Sequence, residues 1–227
     1  MQKTLISIIG STGIGKTKLA IEMAKHFGTE IISCDSRQFF KEMKIGTATP
    51  TDEELAQAKH HFIGHLSVQD YYSIGQYEED ALEKIEEIFE KNDFAVLVGG
   101  SMMYEKAVVE GLNDLPEANA ENQEKLQKIL DEEGLEKLQE ILKNLDEEYY
   151  NVVHKENPRR LLRAIDVIWQ TGRKYSEIIA EPKHKRDFKV IRIGITAPRE
   201  IMYERINLRV DKMLENGLID EVKSLTK

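Results

Sequence analysis

The chain has 227 residues, 32 basic and 41 acidic, for a net charge of −9. This fits one large α/β domain or one domain with an insertion, and excludes a protein that coats nucleic acid over its whole surface while leaving room for a local basic face. Cys34 is the only cysteine, which excludes an internal disulfide and points to a reducing cytoplasm; with no run near the ~20 apolar residues that span a bilayer and no charged and apolar leader, no membrane partner is expected.

The first predicted element is an apolar, β-branched strand from Leu5 to Ile9. It runs into Gly10-Ser11-Thr12-Gly13-Ile14-Gly15-Lys16-Thr17 and then into a helical pattern through Leu19, Ala20, Met23, Ala24 and Phe27. Strand, glycine-rich loop and helix in this order form a phosphate loop. The glycines let successive N–H groups point at a polyphosphate, Lys16 adds a point charge, and Thr17 adds a hydroxyl for phosphate or Mg²⁺. Read alone, the loop suggests an ATP or GTP enzyme.

A second strand, Glu30 to Cys34, ends at Asp35-Ser36-Arg37-Gln38. In a parallel sheet its carboxyl end lies near the phosphate loop. Asp35 is a general base, a Mg²⁺ ligand or a helix cap on spacing alone. A loop, Ile45 to Pro50, follows, and Thr51 or Asp52 caps a short helix. His60, His61 and His65 offer either a metal site or ordinary loop and packing histidines. Ile74 to Lys91 is an amphipathic helix with an acidic outer face. Phe94 to Val98 is a strand covered on both faces, ending in Gly99-Gly100-Ser101, where Ser101 is expected both to cap the next helix and to face a ligand.

From Glu117 to Glu148 the sequence is acidic and helical, broken near Gly134, with no strand candidate. It reads as a helical insertion, either with a role of its own or as a solvated helix pair. From His154 to Arg192 the charge turns positive. Asn157-Pro158 starts a helix that places Arg159, Arg160 and Arg163 at its amino end, while Leu161, Leu162 and Ile165 supply the apolar stripe. Arginines there oppose the helix dipole unless an anion receives them, which favours a phosphate-rich partner over solvated side chains. Lys183, Lys185, Arg186 and Lys189 extend the positive run. Val190 to Ile195 is the last strand, and Pro198 opens a helix with Arg199, Arg205 and Arg209 as a lid over phosphates or as a solvated face.

Taken together, G-S-T-G-I-G-K-T at 10–17, D-S-R-Q at 35–38, V-G-G-S-M-M-Y at 98–104 and N-P-R-R-L-L-R-A at 157–164 resemble the tRNA dimethylallyltransferases. I-G-T-A-T-P at 45–50 and R-V-D-K-M-L-E-N-G-L at 209–218 look like further blocks of that family. The resemblance implies transfer of a five-carbon group from dimethylallyl diphosphate to the exocyclic amine of the adenine next to the anticodon. It implies Asp35 as base, with Lys16, Thr17, the loop N–H groups, Ser101 and Arg209 holding the diphosphate, usually with Mg²⁺. It further implies Asp35, Ser36, Arg37, Gln38 and Ser101 around the adenine, and Gln123 and the 159–163 helix start, Arg159, Arg160, Leu161, Leu162 and Arg163, on the anticodon stem-loop. The chain departs from the family in having Ser101 where Thr is usual and Gln123 where relatives tend to carry arginine.

The expected architecture is thus a P-loop NTPase-like α/β fold, a three-layer parallel sheet formed by residues 1–113 and 188–227, with a helical tRNA-clasping insertion at 114–187. A monomer is expected. The rival readings are a P-loop small-molecule kinase using Asp35 on a hydroxyl, an isopentenyltransferase acting on free adenine nucleotides, and a nucleotide-dependent RNA-binding module without chemistry.

Overall fold

The computed structural model describes residues 2–226. They divide into two compact units, 1–111 with 185–227, and 112–184.

The first unit is built on a five-stranded sheet in which every pairing is parallel, in the order β3-β2-β4-β1-β5. The strands are β1 (Thr4–Gly10), β2 (Ile31–Ser33), β3 (His60–His61), β4 (Phe94–Val98) and β5 (Lys189–Ile195). β1 and β4 lie between neighbours and are apolar almost throughout, as strands covered on both faces must be. Alternation along β1 separates the faces. Leu5 packs with Tyr77, Ala81 and Ile85 of α3 (Ile74–Lys91) and Val108 of α4 (Met102–Glu110). Ile6 and Ile8 pack with Ala20, Ile21 and Ala24 of α1 (Lys16–Phe27). Helix, sheet and helix therefore make three layers. Ser7 points to the α4 side, where its hydroxyl donates to Glu105 at 2.8 Å and Arg192 of β5 donates to the same carboxylate at 2.9 Å. Arg186, expected to extend a positive surface, is half-buried; it donates to the Ala107 and Val108 carbonyls and pairs with Glu78.

Short α2 (Asp52–Leu55) has a full capping box, with Thr51 and Glu54 each accepting from the other's main-chain N–H. α10 (Arg199–Glu215) and α11 (Leu218–Leu225) complete the unit.

The second unit is helical: α5 (Ala120–Glu133), α6 (Leu135–Leu145), α7 (Glu147–Val152), α8 (Pro158–Thr171) and α9 (Tyr175–Ala180). Its core joins Leu126, Leu138, Leu142, Leu161 and Ile165. Pro158 opens α8, and the Asn157 side chain accepts from the Arg160 N–H, the cap that the sequence pattern predicts. Buried Asp146 is saturated, accepting from Tyr149 N, Ser176 N and Ser176 Oγ. Among the described residues no helix is long and apolar enough to cross a membrane.

Candidate active site

The carboxyl ends of β1, β2 and β4 converge on one edge, as the parallel order requires. Two glycines make the convergence possible. A Cβ on Gly99 would lie 2.5 Å from the Cys34 carbonyl carbon and 2.6 Å from the Asp35 nitrogen, so only glycine lets β4 end against β2. A Cβ on Gly10 would meet the Ile195 carbonyl at 2.7 Å. Cys34 itself is buried, and burial pushes its thiol pKa up, away from the thiolate that reacts.

The phosphate loop turns through left-handed backbone at Gly13 (φ +78°) and Gly15 (φ +104°). Lys16 donates to the Gly10 and Ser11 carbonyls at 3.0 and 2.9 Å. Burial lowers its ammonium pKa, with Arg209 acting in the same direction and Asp35 opposing. Ser11 and Thr12 are exposed. Ile14 is buried; its carbonyl accepts from Arg205 at 3.3 Å.

Asp35 caps a turn, not a helix: Oδ1 accepts from Arg37 N at 3.2 Å. Ser101 departs from expectation. It occupies the cap position of α4, yet its hydroxyl makes no cap bond; it accepts from Ser36 N at 3.1 Å and pairs with Ser36 Oγ at 2.9 Å. Arg37 is exposed. Gln38 donates to the carbonyls of Thr47 and Ala48 at 3.3 and 3.1 Å. That loop is held from three sides, since Arg209 Nη2 donates to Thr47 O at 3.2 Å and the Glu221 carboxylate accepts from Ile45 N and Gly46 N at 2.7 and 2.8 Å. Ala48 at φ +45° is the strained residue that this pinning sustains.

Two cavities meet here. One of 300 Å³ is lined by Lys16, Thr17, Gly13, Gly15 and His60; the other, of 480 Å³, by Arg37, Gly100, Ser101, Met43, Ile206 and Val210. Thr12, Asp35 and Arg209 line both. Among the described residues, the buried side-chain nitrogens without a partner are Arg209 Nε and His60 Nε2, and both line the phosphate-loop cavity. Burial lowers the Arg209 pKa against the pull of Asp35. Such groups suit a polar, anionic occupant.

The histidines form no metal centre: among the described residues no group of three His, Cys, Asp or Glu is placed to hold a metal. His60 and His61 make the edge strand β3, His61 bonds Glu30 at 2.5 Å, and His65 packs edge-on to Phe39 and Phe62. The sequence offers His60 as a metal ligand or as a loop or packing residue, and the structure puts it in the cavity lining. Glu221 carried no signal, because its partner lies far away in sequence.

In the second unit Arg159 and Arg160 are exposed and Gln123 is half-buried near the start of α5. Leu161 and Leu162 are 0% and 9% exposed, so their side chains pack in the core of the helical unit. Arg163 binds Asp166 at 3.3 Å and the Pro116 carbonyl, an internal role.

Residues 38–227 match the family model described as IPP transferase. A tRNA dimethylallyltransferase of Christiangramia forsetii is 52% identical over 99% of this chain and 74% of its own length. One from Flavobacterium psychrophilum is 48% identical over 97% of this chain and 74% of its own. Among solved structures, a eukaryotic dimethylallyltransferase acting on tRNA superposes with TM-score 0.86 at 28% identity, over 99% of this chain and 56% of that one. The full-length tRNA isopentenylpyrophosphate transferase of Bacillus halodurans gives TM-score 0.65 at 34% identity, covering 100% and 70%. A family match over residues 38–227, identity of up to 52% along nearly the whole chain and a superposing fold place it in one family: the chain belongs to the IPP transferases.

Proposed function

We propose that the chain transfers a dimethylallyl group from dimethylallyl diphosphate to the exocyclic amine of the adenine 3′ of the anticodon in tRNA, releasing diphosphate. One observation carries the reading: Asp35 and Arg209 line both the phosphate-loop cavity and the cavity of Ser101 and Arg37. A carboxylate at that junction touches donor and acceptor at once, and the family's named relatives act on tRNA.

The diphosphate sits on the loop N–H groups of residues 10–17, Lys16, Thr17 and Arg209. The adenine leaves its stack and enters beside Ser36, Arg37 and Ser101. Its amine is a weak nucleophile, so orientation and proton removal by Asp35 both count. The allylic C1–O bond breaks, its electron pair leaving with the diphosphate; the N–C1 bond forms, and the amine proton passes to Asp35. Lys16 and Arg209, which line the same cavity, supply the positive charge for the leaving diphosphate.

The donor set suits Mg²⁺. The cavity offers the Thr17 hydroxyl and the carboxylate of Asp35, with Glu54 also in its lining but accepting from Thr51 N, and an ion that prefers waters and phosphate oxygens needs little more from protein. Bound there, it supplies charge neutralisation for the diphosphate. The helical insertion of about residues 114–187 is assigned the anticodon stem, with Arg159 and Arg160 on phosphates and Gln123 beside them; the overall −9 is no obstacle, because phosphate contacts are local.

The test is incubation with labelled dimethylallyl diphosphate and an anticodon stem-loop. Label on the adenine and diphosphate release that needs both partners is the expected result. No transfer overturns the reading, and transfer to AMP in place of the stem-loop redirects it to free nucleotides.

A further inference from the structure

A third cavity, of 810 Å³, borders the phosphate-loop cavity, with which it shares Gly13, Ala48, Pro50, Ile63 and Arg209. Its walls include Ile45, Leu55, Ile63 and Leu208, with Lys41, Lys44, Arg205 and Lys212 among the cationic residues lining it. It shares Met213 and Arg209 with the cavity of Asp35 and Ser101.

The pattern on α10 explains the sharing. At 3.6 residues per turn, Ile206 and Val210 fall on one side of the helix and line the acceptor cavity. Arg205, Leu208 and Lys212 fall on the other side and line the third cavity. Arg209 and Met213, one turn apart, lie between the two sets and line both. The helix is a dividing wall, and its crest consists of the guanidinium proposed to hold the diphosphate and a thioether one turn further on. Methionine is unbranched and reaches far, so shortening it opens a passage without disturbing the backbone.

We propose that Met213 sets the chain length of the prenyl donor, closing off a latent tail pocket able to take an allylic diphosphate of ten carbons. This rests on the transferase reading. The 480 Å³ cavity has to be shared by the adenine and the donor tail, and the added volume lies behind Met213.

The experiment compares kcat/KM for geranyl diphosphate and dimethylallyl diphosphate with an anticodon stem-loop, the product read by the mass of the modified adenosine. The unaltered chain uses the five-carbon donor. In Met213→Ala the ten-to-five-carbon ratio rises by at least about tenfold, the scale on which a pocket discriminates a methylene or more. Met213→Val moves the ratio in the same direction, Met213→Phe does not, and Leu208→Trp, which refills the third cavity, cancels the gain. An unchanged ratio in both small variants, a gain that survives Leu208→Trp, or equal losses for both donors overturns the inference. Absence of five-carbon transfer by the unaltered chain sinks the transferase reading, and this inference with it.

Discussion

The Ser101 hydroxyl accepts a hydrogen bond from the Ser36 main-chain N–H at 3.1 Å and shares a second, at 2.9 Å, with the Ser36 hydroxyl. The ends of β4 and β2 are thereby tied together directly beside Asp35, whose carboxylate oxygen would lie 3.3 Å from a Cβ on Gly100. Ser101→Ala removes both bonds, a loss of about 1 kcal/mol each at most in stability, and loosens the turn that carries Asp35. The expected result is a fall in kcat on the order of 10- to 100-fold, as misplacement of a reacting group produces. Ser101→Thr keeps the hydroxyl and restores the rate. Steady-state kinetics on the two variants decide the matter, and an unaffected Ser101→Ala enzyme refutes it.

Asp35→Asn keeps the size of the side chain and its acceptor for Arg37 N while removing the base. The rate of prenyl transfer in a single turnover falls by roughly 10²- to 10⁴-fold, with stem-loop affinity nearly unchanged. Rapid-quench kinetics alongside a filter-binding titration separate the two quantities. Equal losses in both count against a base.

Burial lowers the Lys16 pKa from its ordinary 10.5, so the free protein holds the ammonium less firmly than water does. A bound diphosphate favours the charged form and raises the value again. Affinity for diphosphate is therefore full below the lowered free-protein value, falls as pH rises through it, and reaches its floor above the bound-state value, with proton uptake on binding inside that window. Calorimetry of pyrophosphate binding in buffers of different ionisation enthalpy measures the uptake. Lys16→Met binds weakly and without this slope; a slope that persists in Lys16→Met assigns the titration to another group.

The arginines at the start of α8 divide in role. Arg159→Ala and Arg160→Ala, both at exposed positions, each weaken stem-loop binding and reduce its salt slope by about 1 while leaving the melting temperature in place. Arg163→Ala loses the Asp166 and Pro116 partners and lowers the melting temperature, because the fully buried Asp166 carboxylate keeps its bonds from Asn119 N, Asn122 and Gln170 but loses the cation that compensates its charge. Leu161→Ala destabilises the helical unit by about 2–5 kcal/mol through the cavity it leaves. Thermal melts paired with binding at two salt concentrations check all four variants.

Much of this is legible in the sequence. The phosphate loop is a local device: strand, glycines, lysine and helix are contiguous, and each conformation is set by residues within one turn of the next. The same is true of the Asn157-Pro158 helix start and of the Thr51 cap. What escaped the one-dimensional pattern was pairwise and remote. Gln38 lines the phosphate-loop cavity, and its amide also holds the carbonyls of Thr47 and Ala48, a link no local pattern shows. Leu161 and Leu162 sit in an arginine-rich motif but obey the apolar period and are buried.

The sequence by itself determined the parallel α/β core, the helical stretch that follows Gly111, and the identity of the groups at the strand ends, because periodicity and turn chemistry act over a few residues. Tertiary structure alone decided that Asp35 and Arg209, separated along the chain, line the same two cavities, that Ser101 bonds Ser36 instead of its own helix, and that Met213 stands between two cavities. Those outcomes depend on close approach of segments distant in sequence, at Gly99 against Cys34 and at α10 against the phosphate loop, where packing and hydrogen bonding select one partner among many chemically equivalent ones.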